Sequence, residues 1–247
     1  MGISAKQNRI QTLLNSVPRG APFNIHALQS IGVSTALAWK YVKGGWLARL
    51  GRGLFMFPND ELQRDPCLKF LAHHMTGLHV GGKTALAWRG VRHNLSAREH
   101  LTLWGDGRGT LPGWFTSHFP SRYVGTGLFS EQLPADFGLQ PLPESPDGPL
   151  VSVPERALLE MLSEVGLRQG VEEARHIMEG MRSVRPEVLE MLLRNCLRVK
   201  VARLCVQWAE ELNLDWAADA RNAAKEKLGK GRWIARLKDG TTLILKP

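Results

Sequence analysis

The first 57 residues alternate between short amphipathic patterns and turn residues. Apolar positions at helical spacing predict three helices, Lys6–Val17, Ile25–Ile31 and Thr35–Lys43. Asn24 and Ser34 directly precede the second and third of these segments, and both residue types favour the N-cap position. Gly44-Gly45 ends the third helix, where glycine is common. A helix, a short glycine-containing turn and a second helix indicate a helix-turn-helix.

Two β-prone runs follow this pattern. Trp46–Leu50 and Leu54–Phe57 lie on either side of Gly51-Arg52-Gly53, which predicts a hairpin with an arginine at its tip. Three helices and a basic hairpin together predict a winged helix-turn-helix domain over residues 1–62. A polar linker, Asp60–Pro66, would separate it from a second domain over residues 66–247.

The remaining chain mixes helical and extended patterns. We predict strands at Leu78–Val80, Glu99–Trp104, Trp114–Phe119, Ser121–Val124 and Leu128–Gln132. Helices are predicted at Pro66–Met75, Lys83–Arg89, Pro154–Gly166, Gly170–Met181, Pro186–Leu212 and Asp215–Leu228. A terminal hairpin joins Trp233–Leu237 to Thr241–Leu245 through Asp239-Gly240, a strong hairpin signal. The fold class is therefore α+β: an N-terminal winged helix-turn-helix domain, then a mixed α+β domain.

Charge is distributed unevenly along the chain. The formal net charge is +9, and residues 1–58 contain seven Lys or Arg and no Asp or Glu. A segment that lacks carboxylates fits a partner that would repel them, either nucleic acid or an anionic membrane surface. No run approaches 18 apolar residues, so we expect no membrane span. Duplex DNA is therefore the expected partner of the winged helix, with the third helix in the major groove.

The candidate DNA-binding residues follow from this placement. On the third helix Val33, Tyr41 and Val42 fit a core position. Trp39 fits either face of the helix, and burial is the commoner outcome for a tryptophan. The outward side chains of that helix, together with the arginines of the hairpin, form the predicted site: Ser34, Thr35, Lys40, Lys43, Arg49 and Arg52.

One motif suggests a different chemistry. Gly77, Gly82, Lys83 and Thr84 match G-x-x-x-x-G-K-T, the pattern of a phosphate-binding loop. Such a loop needs a strand before its first glycine, but a helix is predicted there, and apolar Leu78-His79-Val80 lies inside the motif. We therefore interpret Gly77–Thr84 as a short strand followed by a helix. A nucleotide-binding enzyme remains the less favoured alternative, and no enzymatic activity is expected.

Other candidate chemistry is sparse. His73, His74 and His79 lack the spacing and the accompanying ligands of a metal site, so we expect neither a metal nor another cofactor. The three cysteines, Cys67, Cys196 and Cys205, form no CxxC pair and fit reduced thiols. The polar start of the sequence lacks the apolar core of a signal peptide. These features together predict a cytoplasmic protein.

Four stretches resemble one known family. They are GVSTALAWKYVKGGWLARLGRGLF, GGKTALAWRGV, VSVPERALLEML and the carboxy-terminal hairpin. They are similar to the AbiEi-type antitoxins of type IV abortive-infection toxin–antitoxin systems. The winged-helix and PERALLEML stretches are the most distinctive, and the resemblance spans most of the chain.

The resemblance implies a function for each domain. The winged helix would bind inverted repeats in its own promoter and repress the operon. The second domain would counter a nucleotidyltransferase-like toxin without a stable complex. An alternative hypothesis is a winged-helix repressor with a ligand-sensing domain. The identity of the neighbouring gene would distinguish the two hypotheses, because a toxin gene supports the antitoxin.

Overall fold

The computed structural model describes residues 11–91, 99–237, 240 and 242–246. These residues divide into two compact units. The amino-terminal unit comprises Met1–Thr76 and Leu111–Pro120, and the second unit comprises Gly77–Thr110 and Ser121–Pro247. The fold class is α+β, as predicted.

The amino-terminal unit contains a winged helix. Residues 11–16 form the described part of helix α1, and residues 6–10 of the predicted helix lie outside the described residues. The other elements are β1 (Phe23–Asn24), α2 (Ile25–Ser30), α3 (Thr35–Lys43), β2 (Ala48–Gly51) and β3 (Leu54–Met56). The three strands form an antiparallel sheet in the order β1-β3-β2.

Both predicted N-caps are confirmed. The Asn24 side chain accepts a hydrogen bond from the Ala27 N–H at 3.0 Å, and Ser34 Oγ accepts one from the Leu37 N–H at 3.3 Å. Each bond satisfies an amide that would otherwise lack a partner at the start of its helix. The predicted hairpin is confirmed too, because β2 pairs with β3 around Gly53, which has φ +67°.

Apolar side chains from the three helices, from β1 and β3, and from the segments beside them form one core. Val33 and Tyr41 of the helix-turn-helix are buried as predicted, whereas Val42 is partly buried. Phe23 packs on Phe57 with ring centroids 5.2 Å apart. The remaining buried members are Leu13, Leu28, Ala38, Leu47 and Phe55. This core fixes which face of α3 points outward.

Two further helices belong to the amino-terminal unit, α4 (Arg64–Ala72) and, from the second sequence range, α6 (Gly113–His118). The strand predicted at Trp114–Phe119 is therefore wrong. Phe115 and Phe119 lie one helical turn apart, with ring centroids at 5.2 Å, and Phe115 is fully buried. A short apolar run fits both the helical and the extended period, and here packing selects the helix.

The second unit is built on a five-stranded sheet. Its strands are β4 (His79–Val80), β5 (Leu101–Trp104), β6 (Ser121–Val124), β7 (Leu139–Gln140) and β8 (Val151–Ser152), in the order β6-β5-β4-β8-β7. The pairs β4–β8 and β5–β6 are parallel, and the pairs β4–β5 and β7–β8 are antiparallel. The sheet is therefore mixed.

Helices of the second unit surround α7. They are α5 (Gly82–Trp88), α7 (Pro154–Glu164), α8 (Val171–Glu179), α9 (Pro186–Arg194), α10 (Val199–Glu211) and α11 (Ala217–Ala224). Helix α7 contacts α5, α8, α9, α10 and β8, and all its residues from Glu155 to Glu164 are buried. The unit ends with the hairpin of β9 (Trp233–Arg236) and β10 (Thr242–Leu245), which confirms that prediction; Asp239 lies outside the described residues.

Two predictions for the second unit need correction. The single helix expected over Pro186–Leu212 is divided between α9 and α10, and the strand expected at Leu128–Gln132 is only an isolated bridge between Phe129 and Cys196. One cause explains both. The Ser130 N–H donates to the Asn195 carbonyl and the Leu197 N–H donates to the Leu128 carbonyl, so these backbone groups pair across two segments instead of continuing a helix.

Within the described ranges no helix is long and apolar enough to cross a membrane.

Candidate nucleic-acid interface

Helix α3 presents one polar face. The exposed side chains of the helix and its cap are Ser34, Thr35, Ala36, Trp39, Lys40 and Lys43. At about 100° per residue, the positions from Thr35 to Lys40 span an arc of about 140°. Ala38 and Tyr41, which are buried, lie on the opposite side. The predicted residues Ser34, Thr35, Lys40 and Lys43 therefore share one accessible surface.

The wing carries the other two predicted residues. Arg49 lies on β2 and Arg52 at the tip of the β2–β3 turn, and both are exposed. Arg49 Nε donates to the Gly51 carbonyl at 3.0 Å, and this hydrogen bond holds the Arg49 guanidinium against the wing. Gly53 takes the positive φ that lets the turn place Arg52 at its tip.

The cations of this surface have no carboxylate partner among the described residues. Lys40, Lys43, Arg49 and Arg52 form no salt bridge there, whereas Arg19, elsewhere in the same unit, pairs with Asp60 at 3.0 Å. Unneutralised charges of one sign on one face create a positive potential that favours phosphate. We name the eight exposed positions Ser34, Thr35, Ala36, Trp39, Lys40, Lys43, Arg49 and Arg52 the basic face.

Trp39 lies on the outward face of α3. The sequence left its face open, with burial the commoner outcome, and 44% of the residue is exposed. The Arg49 guanidinium carbon lies 4.9 Å from the centroid of the Trp39 ring, in a cation–π arrangement. The core side of α3 is filled by Ala38 and Tyr41, so the tryptophan is left on the outward face. Trp39 thus joins the helix to the wing.

The motif Gly77–Thr84 does not form an open phosphate-binding loop. Strand β4 lies inside it, and the Gly82 N–H donates to Glu160 Oε2 at 2.9 Å, so a carboxylate occupies the amide that a phosphate would use. Lys83 Nζ donates to Glu173 Oε1 at 2.8 Å. Thr84 Oγ1 accepts from the Thr102 N–H at 2.9 Å. The three motif residues are therefore engaged within the protein.

Glu160 is the centre of a buried polar cluster in the second unit. Oε1 accepts from His79 Nε2 at 2.9 Å and Arg156 Nε at 3.1 Å, and Oε2 also accepts from Ser152 Oγ at 2.8 Å. Burial alone would raise the pKa of Glu160, but the charges of His79 and Arg156 and the donated hydrogen bonds outweigh it and lower that pKa. The carboxylate therefore joins β4, β8, α5 and α7.

A second buried carboxylate follows the same pattern. Glu155 is 1% exposed and accepts three hydrogen bonds from Arg185, one of them from the backbone N–H at 2.8 Å. Burial favours a raised pKa for Glu155, but these bonds and the positive charge lower it. Glu155, Arg156 and Glu160 of the PERALLEM stretch are therefore buried structural residues. Polar side chains give no signal in hydrophobic periodicity, so the burial of these three residues could not be predicted from the sequence.

His74 has hydrogen-bond partners within the amino-terminal unit. His74 Nε2 lies 3.2 Å from Asn24 Nδ2, and its Nδ1 lies 2.8 Å from the Phe70 carbonyl oxygen. Within the described ranges, no three His, Cys, Asp or Glu side chains are grouped so that they could hold a metal ion.

A winged helix with a carboxylate-free basic face, followed by an α+β unit, is the arrangement of a transcription regulator with a second domain. The chain belongs to the AbiEi antitoxin family. Residues 6–97 match the family described as "Transcriptional regulator, AbiEi antitoxin N-terminal domain", and residues 98–243 match "Transcriptional regulator, AbiEi antitoxin, Type IV TA system". The resemblance noted from the sequence is thereby confirmed.

The fold is similar to one solved structure in particular. The crystal structure of the RV2827C protein from Mycobacterium tuberculosis superposes with a TM-score of 0.59 at 16% sequence identity, covering 92% of this chain and 83% of that one. At this identity the likeness concerns the fold alone. No curated protein matches the sequence.

Proposed function

We propose that this protein binds inverted repeats in its own promoter through the winged helix and represses its operon. The observation that carries the proposal is the basic face, where Lys40, Lys43, Arg49 and Arg52 are exposed without a carboxylate partner among the described residues. Membership of a family of transcriptional regulators supports it. Inverted repeats would match a pair of protein copies related by twofold symmetry.

The basic face suggests a division of roles. Helix α3 would enter the major groove, where Thr35 and Lys40 reach base edges. Arg52 would contact a phosphate or a narrow minor groove from the wing tip. Ser34 Oγ accepts the capping bond from the Leu37 N–H, so its hydroxyl hydrogen is available to a phosphate. Lys43 and Arg49 would flank these contacts.

The second unit would act against a nucleotidyltransferase-like toxin without forming a stable complex. Family membership supports an antitoxin role, and the second unit has its own buried core around α7. Coexpression with a nucleotidyltransferase-like toxin tests this part. Rescue of growth by the intact chain, together with separate elution of the two proteins in size-exclusion chromatography, is the expected result.

A ligand-sensing second domain is the competing hypothesis. The second unit has a cavity of about 250 Å³ whose wall includes His79, Trp104, Arg156 and Glu160. However, both oxygens of Glu160 and both ring nitrogens of His79 already have protein partners. These groups are unavailable to an effector unless the cluster opens, which favours the antitoxin reading.

Footprinting on the region upstream of the gene tests the DNA-binding proposal. Two protected half-sites with dyad symmetry, lost when Lys40, Lys43, Arg49 and Arg52 are all replaced by Ala, would support it. Equal protection by the wild type and the quadruple variant would overturn it.

A further inference from the structure

Among its described residues, the amino-terminal unit exposes two large aromatic side chains. Trp39 is 44% exposed and Trp46 is 43% exposed. The two tryptophans differ in position. Trp39 lies on the helix of the basic face, whereas Trp46 follows the end of α3 and its ring lies beside Gly44. Only Trp39 is surrounded by the predicted DNA-binding residues.

Trp39 occupies the middle of the outward stripe of α3. Thr35, Trp39 and Lys43 follow one another at intervals of four residues, so they lie above each other along the helix. Outward side chains of a recognition helix are the ones that contact base edges when the helix enters the major groove. The position is therefore suited to contacts with bases rather than with the phosphate backbone.

The wing fixes the indole in place. The Arg49 guanidinium covers the Trp39 ring at 4.9 Å, and Arg49 itself is tied to the Gly51 carbonyl. This stack restricts the rotamers of an exposed tryptophan before any ligand binds, which reduces the entropy lost on binding. An apolar group held rigidly among unneutralised cations is suited to an anionic partner that also presents an apolar contact.

The major groove presents one such apolar group. Thymine carries a C5-methyl group there, whereas the other base edges present hydrogen-bond donors and acceptors. An indole has a single donor, so its main contribution to base recognition is apolar contact. We propose that Trp39 is a specificity-determining residue that packs against a thymine methyl group in each half-site, with Arg49 as its positioning residue. This inference rests on the proposed DNA-binding function.

Removal of single methyl groups from the DNA tests the contact. Within the footprinted half-site, each thymine is replaced in turn by deoxyuridine, which deletes the methyl and leaves the base pair intact. For the wild type, one position should weaken binding about fourfold, the loss expected for one buried methyl group. Trp39→Ala should bind thymine and deoxyuridine at that position equally, because the contact is already absent.

Three further variants complete the design. Trp46→Ala, the exposure-matched control, should keep the fourfold sensitivity. Arg49→Ala should reduce it, because the indole loses its support. If Trp39→Ala fails to fold by circular dichroism, Trp39→Gln, which removes the indole but keeps a longer, solvent-compatible side chain, replaces it.

The outcomes separate the two claims. Wild-type binding without a deoxyuridine-sensitive position would overturn the inference and leave the proposed function standing. A Trp39 variant that retains the fourfold sensitivity would do the same. Failure of the wild type to bind its upstream region would overturn both.

Discussion

The backbone N–H of Gly82 donates to the carboxylate of Glu160 across 2.9 Å, at the start of helix α5. The two residues are 78 positions apart in the sequence, so the pattern of Gly77–Thr84 gives no sign of this bond. The Glu160 carboxylate occupies the place that a bound phosphate would take. The glycines and lysine of this motif therefore make contacts within the protein rather than with a nucleotide.

Lys83→Ala should therefore leave function unchanged. Lys83 makes an ion pair with Glu173 in which the two side chains are 44% and 35% exposed, and exposed pairs of this kind contribute about 0–1 kcal/mol. We expect the variant to bind the operator and to rescue cells from the toxin as the wild type does. Calorimetry should detect no binding of ATP or GTP by the variant or by the wild type. Nucleotide binding by the wild type that disappears in the variant would restore the enzyme hypothesis.

Glu160→Gln should destabilise the second unit strongly. Breaking a buried ion pair from one side typically costs about 3–5 kcal/mol, since the Arg156 guanidinium would stay buried without its carboxylate partner. Chemical denaturation followed by tryptophan fluorescence measures the loss, with Lys83→Ala as the control for an exposed pair. Equal stability of the two variants would show that the buried cluster is not a stabilising centre.

The loss of stability in Glu160→Gln relative to the wild type should depend on pH. The pKa of Glu160 is lowered in the folded state relative to about 4.3 for an unfolded chain, so its stabilisation is present above that value. It is lost as the pH falls through the lower, folded pKa. The difference in unfolding free energy between wild type and Glu160→Gln should thus shrink as the pH falls below about 4.

Arg52→Ala should weaken binding to all DNA sequences alike. The side chain lies at the tip of the wing, where a phosphate contact carries no sequence information. We expect similar fractional losses on operator and scrambled duplexes in fluorescence anisotropy. A loss confined to the operator would instead place Arg52 against a base edge or a sequence-dependent minor groove.

Lys40→Ala should act selectively. Lys40 lies on the outward face of α3, and loss of one base contact costs roughly 1–3 kcal/mol on the operator and less on random DNA. Titration of both duplexes at one salt concentration measures the difference. Equal proportional losses on the two duplexes would show that Lys40 does not read sequence.

Local sequence was sufficient for the winged helix because its signals are short-range. N-caps, glycines and the hairpin turn act within a few residues, and Asn24 and Ser34 make the bonds that their residue types predict. The second unit depends on distant contacts instead. The gap between α9 and α10 exists because residues 128–130 take over its backbone hydrogen bonds.

The burial of side chains is the property that local sequence predicts least well. The pentapeptide Thr-Ala-Leu-Ala-Trp occurs at residues 35–39 and again at 84–88, and begins or forms a helix both times. Thr35 is exposed and Ala38 buried in the first copy, whereas Thr84 is buried in the second, and Trp39 is more exposed than Trp88. The two identical sequences thus bury different side chains because their neighbours in space differ. The exposure of Trp39 could therefore not be predicted from its own segment.

The salt dependence of operator binding tests the central claim, that the basic face holds duplex DNA. For the intact chain, log K should fall linearly with log salt, and each phosphate-contacting cation that is removed should make the slope shallower by about 0.9 per protein copy. Arg52→Ala should therefore flatten the slope by about 0.9 for each bound copy, or about 1.8 for a pair of copies on inverted repeats, and replacement of Lys40, Lys43, Arg49 and Arg52 together by more. A slope that is the same for the wild type and the quadruple variant would contradict the account, because the DNA would then be bound elsewhere.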